Sequence, residues 1–466
     1  MKIINLSFSI LLFISTGVSG KVILPAVIDN NMVLQQKSEA PLWGKAKPST
    51  KVKITTSWNG KSYTTQTGSD SLWRVSVSTP AAGGPFNITF DDGDKLVLKN
   101  ILIGEVWVCS GQSNMSMPVK GFKNQPIAGS NELLLNAENP KIRLIQIQRQ
   151  YSVKPQFDCK VSPWTEASME SVSEFSAVGY MYAKILQEKL NVPVGIIMTA
   201  WGGTKIEAWT NSNSLDSLSF IKQPLLKEKA KINHNSATVL YNAMINPLVG
   251  YGIKGFIWYQ GEANRSNYDQ YDQLMEAMVK GWRKEWNMGE LPFYYVQIAP
   301  FKYDGNNKSA FLREAQLKAS TLIPNSGMVV SLDVGKETFI HPPDKATIAK
   351  RLALLALANN YGMTKLAYAS PVYKSHKIVK DVATISFSHA ENGLSSFGKN
   401  LSAFEIAGED KVFYPAKATI VSEGVKVQSD HVKVPVAVRY AFKDWVVGDL
   451  YNTEGFPASS FRTDNW

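Results

Sequence analysis

The stretch ILIGEVWVCSGQSNM at residues 101–115 decides the fold class, because it is an apolar run of strand length that ends in glycine and polar residues. Further apolar runs follow it, at residues 194–201, 253–261, 291–300 and 327–335. They are apolar on both faces, as is typical of parallel strands that are buried on both sides. Apolar residues at helical spacing lie between or after them, in segments 175–190, 271–286, 311–322 and 345–362. This alternation predicts a doubly wound α/β domain over residues 101–365, with a parallel sheet between helices.

The regions on either side of this domain have a β pattern. Residues 21–100 contain short alternating runs that are broken by turns, with a hairpin tip at Asn59 and Gly60. We expect a small β-sandwich there. Residues 366–466 return to Val-rich alternating runs, which predict a second β-rich region.

The first twenty residues have the pattern of a secretory signal peptide. Lys2 gives a basic start, a short apolar core follows, and Val18 and Gly20 have the spacing of a cleavage site. We therefore expect residues 1–20 to be removed and the protein to be exported, to the periplasm or outside the cell.

Composition excludes several classes of protein. The chain has 466 residues, of which 44% are hydrophobic, and its net charge of +11 is not concentrated in any Lys/Arg run of five or more. We therefore predict no nucleic-acid partner, and no apolar stretch reaches the length of about 18 residues that a membrane span needs. The only cysteines, Cys109 and Cys159, exclude a disulfide scaffold or a thiolate zinc site. Export permits a bond between them, but buried free thiols are equally compatible with the sequence.

The ends of the predicted strands are where the chemistry is expected, because ligands of doubly wound sheets bind beyond the carboxyl ends of the strands. Ser113 follows the first run beside a glycine, so it is a candidate nucleophile surrounded by backbone N–H groups. Gly202 and Gly203 follow the second run, and either could bring a backbone N–H close to a ligand.

A second group of polar candidates follows the later runs. Gln260, Glu262 and Asn264 come after the third run, while Asp333 and His341 come at and after the last one. Ser113, a carboxylate and His341 in this order fit the logic of a serine nucleophile with a histidine base and an orienting acid. No metal or nucleotide motif is present, so we predict no cofactor.

Six motifs in order resemble one family of carbohydrate esterases. They are VWVCSGQSNM (106–115), TAWGGTKIEAWT (199–210), LYNAMINPL (240–248), IKGFIWYQGEAN (253–264), LREAQ (312–316) and DVG (333–335) with IHPPDK (340–345). Together they resemble the bacterial sialate O-acetylesterase family, whose members are SGNH-type esterases related to acetylxylan esterases. The resemblance implies an SGNH-hydrolase fold, with a flavodoxin-like parallel sheet between helices and flanking β-sandwich regions.

The resemblance also implies roles for the candidate residues. Ser113 matches the nucleophile and His341 the general base, while Gly202 or Gly203 and the Gln260 amide match the oxyanion hole. The simplest family pattern has an aspartate three residues before the histidine, where this chain has Thr338. Three candidates for the group that orients His341 remain open: Glu262 first, Asp333 second, and a backbone carbonyl third.

The implied reaction is the removal of O-acetyl groups from sugars. O-acetylated sialic acid is the first expectation, acetylxylan or another plant glycan the second, and a non-catalytic glycan-binding protein the third. Residues that flank the motifs are candidates for substrate contacts: Asn114, Trp201, Trp209 and Asn264.

Overall fold

The computed structural model describes residues 21–216, 218–221, 231–303 and 305–466. The signal peptide that the sequence predicts at residues 1–20 lies outside the described residues. Within the part of the chain that is described, no helix combines the length and the apolar character needed to cross a membrane.

Two β layers form the N-terminal part of the chain. Their strands are β1 (Val33–Gln35), β2 (Glu39–Lys45), β3 (Lys51–Thr56), β4 (Ser62–Gln66), β5 (Leu72–Ser78), β6 (Gly83–Asp91) and β7 (Lys95–Gly111). One layer has the antiparallel order β4-β3-β6-β7, and β2 pairs with β5 in the other. Trp73 of β5 packs on Phe90 of β6, so the layers share an apolar core. The hairpin predicted at Asn59 and Gly60 joins β3 to β4.

The central sheet is built around β7. Its other strands are β8 (Asn139–Gln146), β9 (Thr165–Ala167), β10 (Val194–Ala200), β11 (Gly255–Tyr259), β12 (Phe293–Val296) and β13 (Ser326–Val329). The order is β13-β12-β11-β7-β10-β8-β9, and all neighbours are parallel except β8 and β9. Because the first strand lies in the middle, the chain winds outward in both directions, which confirms the predicted α/β class.

Two details refine the expected architecture. Strands β10, β7, β11, β12 and β13 follow one another in the order 2-1-3-4-5 of a flavodoxin-like sheet, and β8 and β9 extend the sheet beyond β10. The boundary expected between residues 100 and 101 falls inside β7, which is 17 residues long. β7 pairs with β6 up to Ile103 and with β10 from Glu105 onward, so a single strand joins the N-terminal layer to the central sheet.

Helices cover both faces of the central sheet. They are α1 (Ser113–Ser116), α2 (Ser130–Leu135), α3 (Met169–Glu174), α4 (Ala177–Leu190), α5 (Ser212–Leu215), α6 (Tyr271–Trp286), α7 (Lys308–Leu322) and α8 (Lys345–Asn360). Val106 and Val108 of β7 pack in one core with α6 and α7, while Trp107 and Cys109 pack in another with α4 and α8. Side chains alternate between the faces of a strand, so apolar residues on both faces bury β10, β11 and β12 along their whole length.

Shorter helical segments connect these elements. They are a π-helix at Tyr241–Ile245 and 3-10 helices at Ile206–Trp209, Asn246–Leu248 and Glu262–Gln270. Cys109 and Cys159 are buried free thiols in different cores, so they do not form the disulfide that export would permit.

The C-terminal region is β-rich, as the sequence predicts. Its strands are β14 (Val372–Val379), β15 (Val382–Ser388), β16 (Leu394–Ser395), β17 (Phe404–Ala407), β18 (Phe413–Pro415), β19 (Lys417–Val421), β20 (Gly424–Gln428), β21 (Ala437–Tyr440), β22 (Tyr451–Asn452) and β23 (Phe461–Arg462). They form two four-stranded sheets, β14-β15-β20-β19 and β18-β17-β21-β23, and the pair β16-β22. Val330 and Leu332, which follow β13, pack in the core of this region and attach it to the central domain.

Candidate active site

The turn after β7 places Ser113 at the carboxyl end of the central sheet. Gly111 has a φ of 135°, and a Cβ at this position would lie 2.2 Å from the carbonyl oxygen of Tyr259 at the end of β11. Only glycine allows the two strand ends to approach so closely. Ser113 then begins α1 and remains partly exposed.

His341 lies directly beside Ser113. It follows β13 in the loop that leads to α8, and its Nε2 is 2.7 Å from Ser113 Oγ, which is a hydrogen-bond distance. The ring of Phe122 packs against the imidazole in an edge-on arrangement, with ring centroids 5.3 Å apart. The structure therefore brings together the two residues that the sequence predicts as nucleophile and base.

The other nitrogen of His341 contacts a side-chain amide. Nδ1 lies within hydrogen-bond distance of Oε1 of Gln125, in a turn that is closed by backbone hydrogen bonds between Phe122 and Gln125. A carbonyl oxygen can only accept a hydrogen bond, so Nδ1 carries the ring proton and donates a hydrogen bond to Gln125. Nε2 is then unprotonated and accepts a hydrogen bond from the Ser113 hydroxyl. Sequence reasoning missed Gln125, because nothing distinguishes it from an ordinary surface amide in a loop.

The electrostatic surroundings keep His341 neutral. Burial of the imidazole, followed by the positive charge of Lys345, lowers the pKa of His341 to about 4. An unprotonated imidazole at neutral pH is the form that a general base requires.

The contacts do not support either acid that was expected to orient His341. Both carboxylate oxygens of Asp333 bind the guanidinium of Arg351, at 2.8 and 2.7 Å. Glu262 Oε1 instead accepts a hydrogen bond from Asn114 Nδ2 at 2.6 Å. The third option, a backbone carbonyl, is also replaced, because Gln125 occupies that place by the His341 ring. Each of these expectations is therefore corrected.

Asn114, the residue after Ser113, is the centre of a buried polar cluster. Its Nδ2 donates to Glu262 and also to the carbonyl oxygen of Ile340, at 3.2 Å. Its Oδ1 accepts from Nζ of Lys345 at 2.5 Å. Because the Asn114 side chain is buried and fully engaged, its expected contact with substrate is corrected to a contact within the protein.

The two glycines after β10 differ in their distance from Ser113. A Cβ built on Gly202 would lie 3.2 Å from Ser113 Cβ, whereas a Cβ on Gly203 would meet open space. Gly203 is exposed and has a φ of 72°. Of the two candidates for a backbone oxyanion donor, Gly202 is therefore the one beside the nucleophile.

Gln260 has no amide hydrogen left for an oxyanion. Its Nε2 donates to the carbonyl oxygen of Thr204 at 2.9 Å and to Asn264 Oδ1 at 2.7 Å, which uses both hydrogens. Its Oε1 accepts from the hydroxyl of Tyr271 at 2.8 Å. The side chain is fully buried. The oxyanion role expected for Gln260 is therefore corrected to the support of neighbouring turns.

Two expected substrate contacts are buried as well. Asn264 Nδ2 donates to Glu207 at 2.8 Å, while its Oδ1 accepts from the backbone N–H of Ile206. Trp209 packs edge-on against Trp258 in the core. Neither Asn264 nor Trp209 is exposed, so both expectations are corrected to structural roles.

Trp201 keeps a partly exposed ring next to Gly202. It stacks on His234 with ring centroids 5.0 Å apart and an interplanar angle of 13°. Asn235, the next residue, accepts from the backbone N–H of Lys205 at 2.8 Å, which fixes the turn that contains Gly202. His234 lies in a polar segment without a motif, so it is not among the residues that the sequence predicts for the site.

The arrangement contains the groups that nucleophilic acyl transfer requires. A hydroxyl, a neutral imidazole and a glycine backbone lie together at the end of the sheet. Over the described part of the chain, no group of three or more His, Cys, Asp or Glu side chains could hold a metal ion.

Comparison with known proteins assigns this site to a family. The profile of the family described as "carbohydrate esterase, sialic acid-specific acetylesterase" matches residues 103–357, which is more than half of the chain. The chain belongs to this carbohydrate esterase family. The resemblance of the sequence motifs is confirmed, and the protein is an esterase. The matched segment of this esterase contains both Ser113 and His341.

Individual relatives agree with the family assignment. The esterase is 28% identical to sialate O-acetylesterase of Homo sapiens over 464 residues, covering 90% of this chain and 87% of that protein. It is 27% identical to the same enzyme of Mus musculus, with 90% and 89% covered. A carbohydrate acetylesterase from Xanthomonas citri has a solved structure that superposes with a TM-score of 0.87 at 34% identity, covering 96% of this chain and 100% of that one.

Proposed function

We propose that this esterase removes O-acetyl groups from sugars through an acetyl-serine intermediate on Ser113, with O-acetylated sialic acid as its substrate. The observation that carries the proposal is the 2.7 Å contact between Ser113 Oγ and His341 Nε2 at the end of the central sheet. Gln125 supports it by holding the ring in the tautomer that can accept the hydroxyl proton.

The first step transfers the acetyl group to the enzyme. His341 takes the proton from Ser113 as Oγ attacks the ester carbonyl, which forms the C–O bond of a tetrahedral intermediate. The backbone N–H groups of Ser113 and Gly202 donate to the developing oxyanion, and loss of one such donor costs about 100–1,000-fold in rate. The bond to the sugar oxygen then breaks, and the sugar leaves as an alcohol with the proton from His341.

The second step regenerates the enzyme. His341 takes a proton from water, and the resulting nucleophile attacks the acetyl-serine carbonyl. The ester bond to Oγ breaks, acetate leaves, and His341 returns the proton to Ser113. The same base and the same oxyanion donors therefore serve both halves of the reaction.

The substrate class rests on the comparisons. The family description and the mammalian relatives are both named for sialic acid esters, which favours O-acetylated sialic acid. The solved relative from Xanthomonas citri is the more similar in sequence and is described as a carbohydrate acetylesterase. That description names no particular sugar, so acetylated plant glycans such as acetylxylan, which the motif resemblance implies, are the second candidate.

Acetate release from both substrates tests the proposal. We expect the wild type to release acetate from O-acetylated sialic acid and Ser113→Ala to release none. Ser116→Ala is the matched control, because it lies in the same short helix and is buried without a hydrogen-bond partner among the described residues. Release from acetylxylan alone would mean that the substrate is a plant glycan. Turnover by Ser113→Ala would contradict the assignment of Ser113 as the nucleophile.

We further propose that residues 1–20 direct export. We also propose that 21–100, 101–365 and 366–466 are the N-terminal β, esterase and C-terminal β-rich units, with β7 continuing from the first unit into the second. The basic start and apolar core of the leader support the first point. The mass of the protein from culture medium or periplasm tests it, with a chain that begins at Lys21 expected and an intact Met1 contradicting it.

A further inference from the structure

We propose that Lys345 is a positioning residue for the Ser113–His341 pair and that it acts through Asn114, in a buried Glu262–Asn114–Lys345 chain. The inference rests on the proposed function, since it assumes that Ser113 and His341 carry out the reaction. Lys345 is the last residue of the motif IHPPDK, but the sequence analysis assigns it no role; it is fully buried at the first position of α8.

The Asn114 amide ties the two catalytic turns to each other. Asn114 directly follows Ser113, and its Nδ2 donates to the carbonyl oxygen of Ile340, the residue before His341. A shift of either turn would lengthen this hydrogen bond. The separation of Ser113 Oγ and His341 Nε2 therefore depends on the orientation of one side-chain amide.

The charged groups on the two sides of the Asn114 amide determine its orientation. The ammonium of Lys345 donates to Oδ1 at 2.5 Å, and Oε1 of Glu262 accepts from Nδ2 at 2.6 Å. Rotation of the amide by 180° would place its oxygen against a carboxylate and its NH₂ against an ammonium, and neither pair can hydrogen-bond. A cation and an anion on opposite sides thus permit only the orientation that reaches Ile340.

The buried cluster is complete only with both charges present. Oε2 of Glu262 is buried and has no hydrogen-bond partner among the described residues. Burial raises the pKa of Glu262, whereas a backbone N–H, the Asn114 amide and the charge of Lys345 oppose that effect and favour the carboxylate. Burial lowers the pKa of Lys345 to about 7, and Glu262 opposes that effect. Removal of one partner leaves the other as an uncompensated buried charge, which is costly.

The charge on Lys345 also acts on His341. The groups that face His341 or carry a charge near it are Ser113, Phe122, Gln125, Lys345, Asp344 and Glu262. Asp344 accepts hydrogen bonds from Thr347 at the start of α8. Lys345 is charged below pH 7, the range in which His341 gains its proton, so it opposes protonation of the base.

The test is a double-mutant cycle on Lys345→Met and Glu262→Gln, read in the full-length enzyme with p-nitrophenyl acetate. We expect each single variant to lower kcat by about tenfold with little change in KM, and the double variant to lose about tenfold less than the product of the two. In Lys345→Met the acid limb of the kcat/KM profile should also move to higher pH by about one unit. A purely structural lysine would leave that limb in place.

Arg351→Met provides the matched control. Arg351 lies on the same helix and binds Asp333 away from the catalytic pair, so its loss should lower the melting temperature without moving the acid limb. Glu262→Gln keeps the size of the side chain and an acceptor for Asn114, so it reports on the cluster even if Lys345→Met fails to fold.

Two results would overturn the inference. If the effects of the single variants multiply in the double variant and the limb does not move in Lys345→Met, the cluster does not act on the catalytic pair. That result, with an active wild type and an inactive Ser113→Ala, would leave the proposed function intact. An inactive wild type would overturn both.

Discussion

The ends of β7 and β11 look alike in sequence but differ in the structure. Both are apolar strands followed by glycine and polar residues, yet Ser113 after β7 is partly exposed with its hydroxyl on His341. Gln260 after β11 is fully buried, with every hydrogen of its amide already donated. A strand end therefore serves a ligand only where its polar groups are accessible, and otherwise it supports the turns around the site.

Among the variants that test this difference, Ser113→Ala has the largest expected effect on rate. The variant removes the hydroxyl that lies 2.7 Å from His341 Nε2, so kcat should fall by at least about 1,000-fold. The melting temperature should stay near that of the wild type, since the change deletes one partly exposed oxygen. Steady-state hydrolysis of p-nitrophenyl acetate, with Ser116→Ala alongside, measures the effect, and comparable activity in the two variants would contradict the account.

The second variant tests Gln125, a positioning group that lies outside the sequence motifs. Gln125→Leu removes the acceptor for Nδ1 of His341, and we expect kcat to fall by about 10–100-fold because the tautomer is no longer fixed.

His341 is active when unprotonated, so the acid limb of the wild-type kcat/KM profile should lie well below pH 6.5, toward the pKa of about 4.

Gln125→Glu tests the sign of that effect. A carboxylate beside Nδ1 favours the imidazolium and raises the pKa of His341, so the acid limb should move to higher pH. The kcat/KM profile from pH 4 to 9 measures it, and a limb that stays in place would mean that Gln125 does not contact the working histidine.

Gly202 and Gly203 form a pair in which only one member lies against the nucleophile. Gly202→Ala places a methyl group 3.2 Å from Ser113 Cβ, and we expect about a tenfold loss of kcat as the donor shifts. Gly203→Ala meets open space but has a positive φ, so it should cost about 1 kcal/mol of stability with little loss of rate. The reverse ranking in kcat would make Gly203 the oxyanion donor.

At the end of β11 an effect on stability is expected more than an effect on rate. Gln260→Met removes three buried hydrogen bonds, to the Thr204 carbonyl, to Asn264 Oδ1 and from the Tyr271 hydroxyl, which should lower the free energy of unfolding by about 2–3 kcal/mol. At 25 °C kcat should fall by less than about tenfold, below the loss expected for an oxyanion donor. Urea denaturation and kcat together measure this. A large loss of kcat with unchanged stability would restore the oxyanion role.

The sequence predicted the parts of the molecule that depend on apolar patterning. Runs that are apolar on both faces identified β10 to β13, and helical spacing identified α4, α6, α7 and α8. The predictions omitted β8, where Arg143 interrupts the apolar pattern but is itself buried, with hydrogen bonds to the carbonyls of Pro140 and Asn31 and an ion pair with Glu166. Local pattern thus fails where a charged side chain finds partners that only the folded chain supplies.

The candidate site was predictable to a smaller extent. Ser113 and His341 follow parallel strands, so the strand pattern places both at the carboxyl end of the sheet. β12 and β11 lie between β13 and β7, however, and only the loop after β13 brings His341 to Ser113. His341 contacts Gln125 only because of the conformation of the loop that carries Gln125. Asn114 accepts a hydrogen bond from Lys345, which lies four residues after His341. Neither contact follows from the local sequence pattern. The sequence favoured Glu262 and Asp333 as partners of His341. Glu262 instead accepts a hydrogen bond from the Asn114 amide, and Asp333 pairs with Arg351.

The most direct test of the central claim is the site of acetylation during turnover. The enzyme is mixed with p-nitrophenyl acetate, quenched in acid within the first turnovers, digested and analysed by peptide mass spectrometry. The account predicts one acetyl group on Ser113 in the wild type and none in Ser113→Ala. An acetyl group on another residue, with turnover retained in Ser113→Ala, would contradict it.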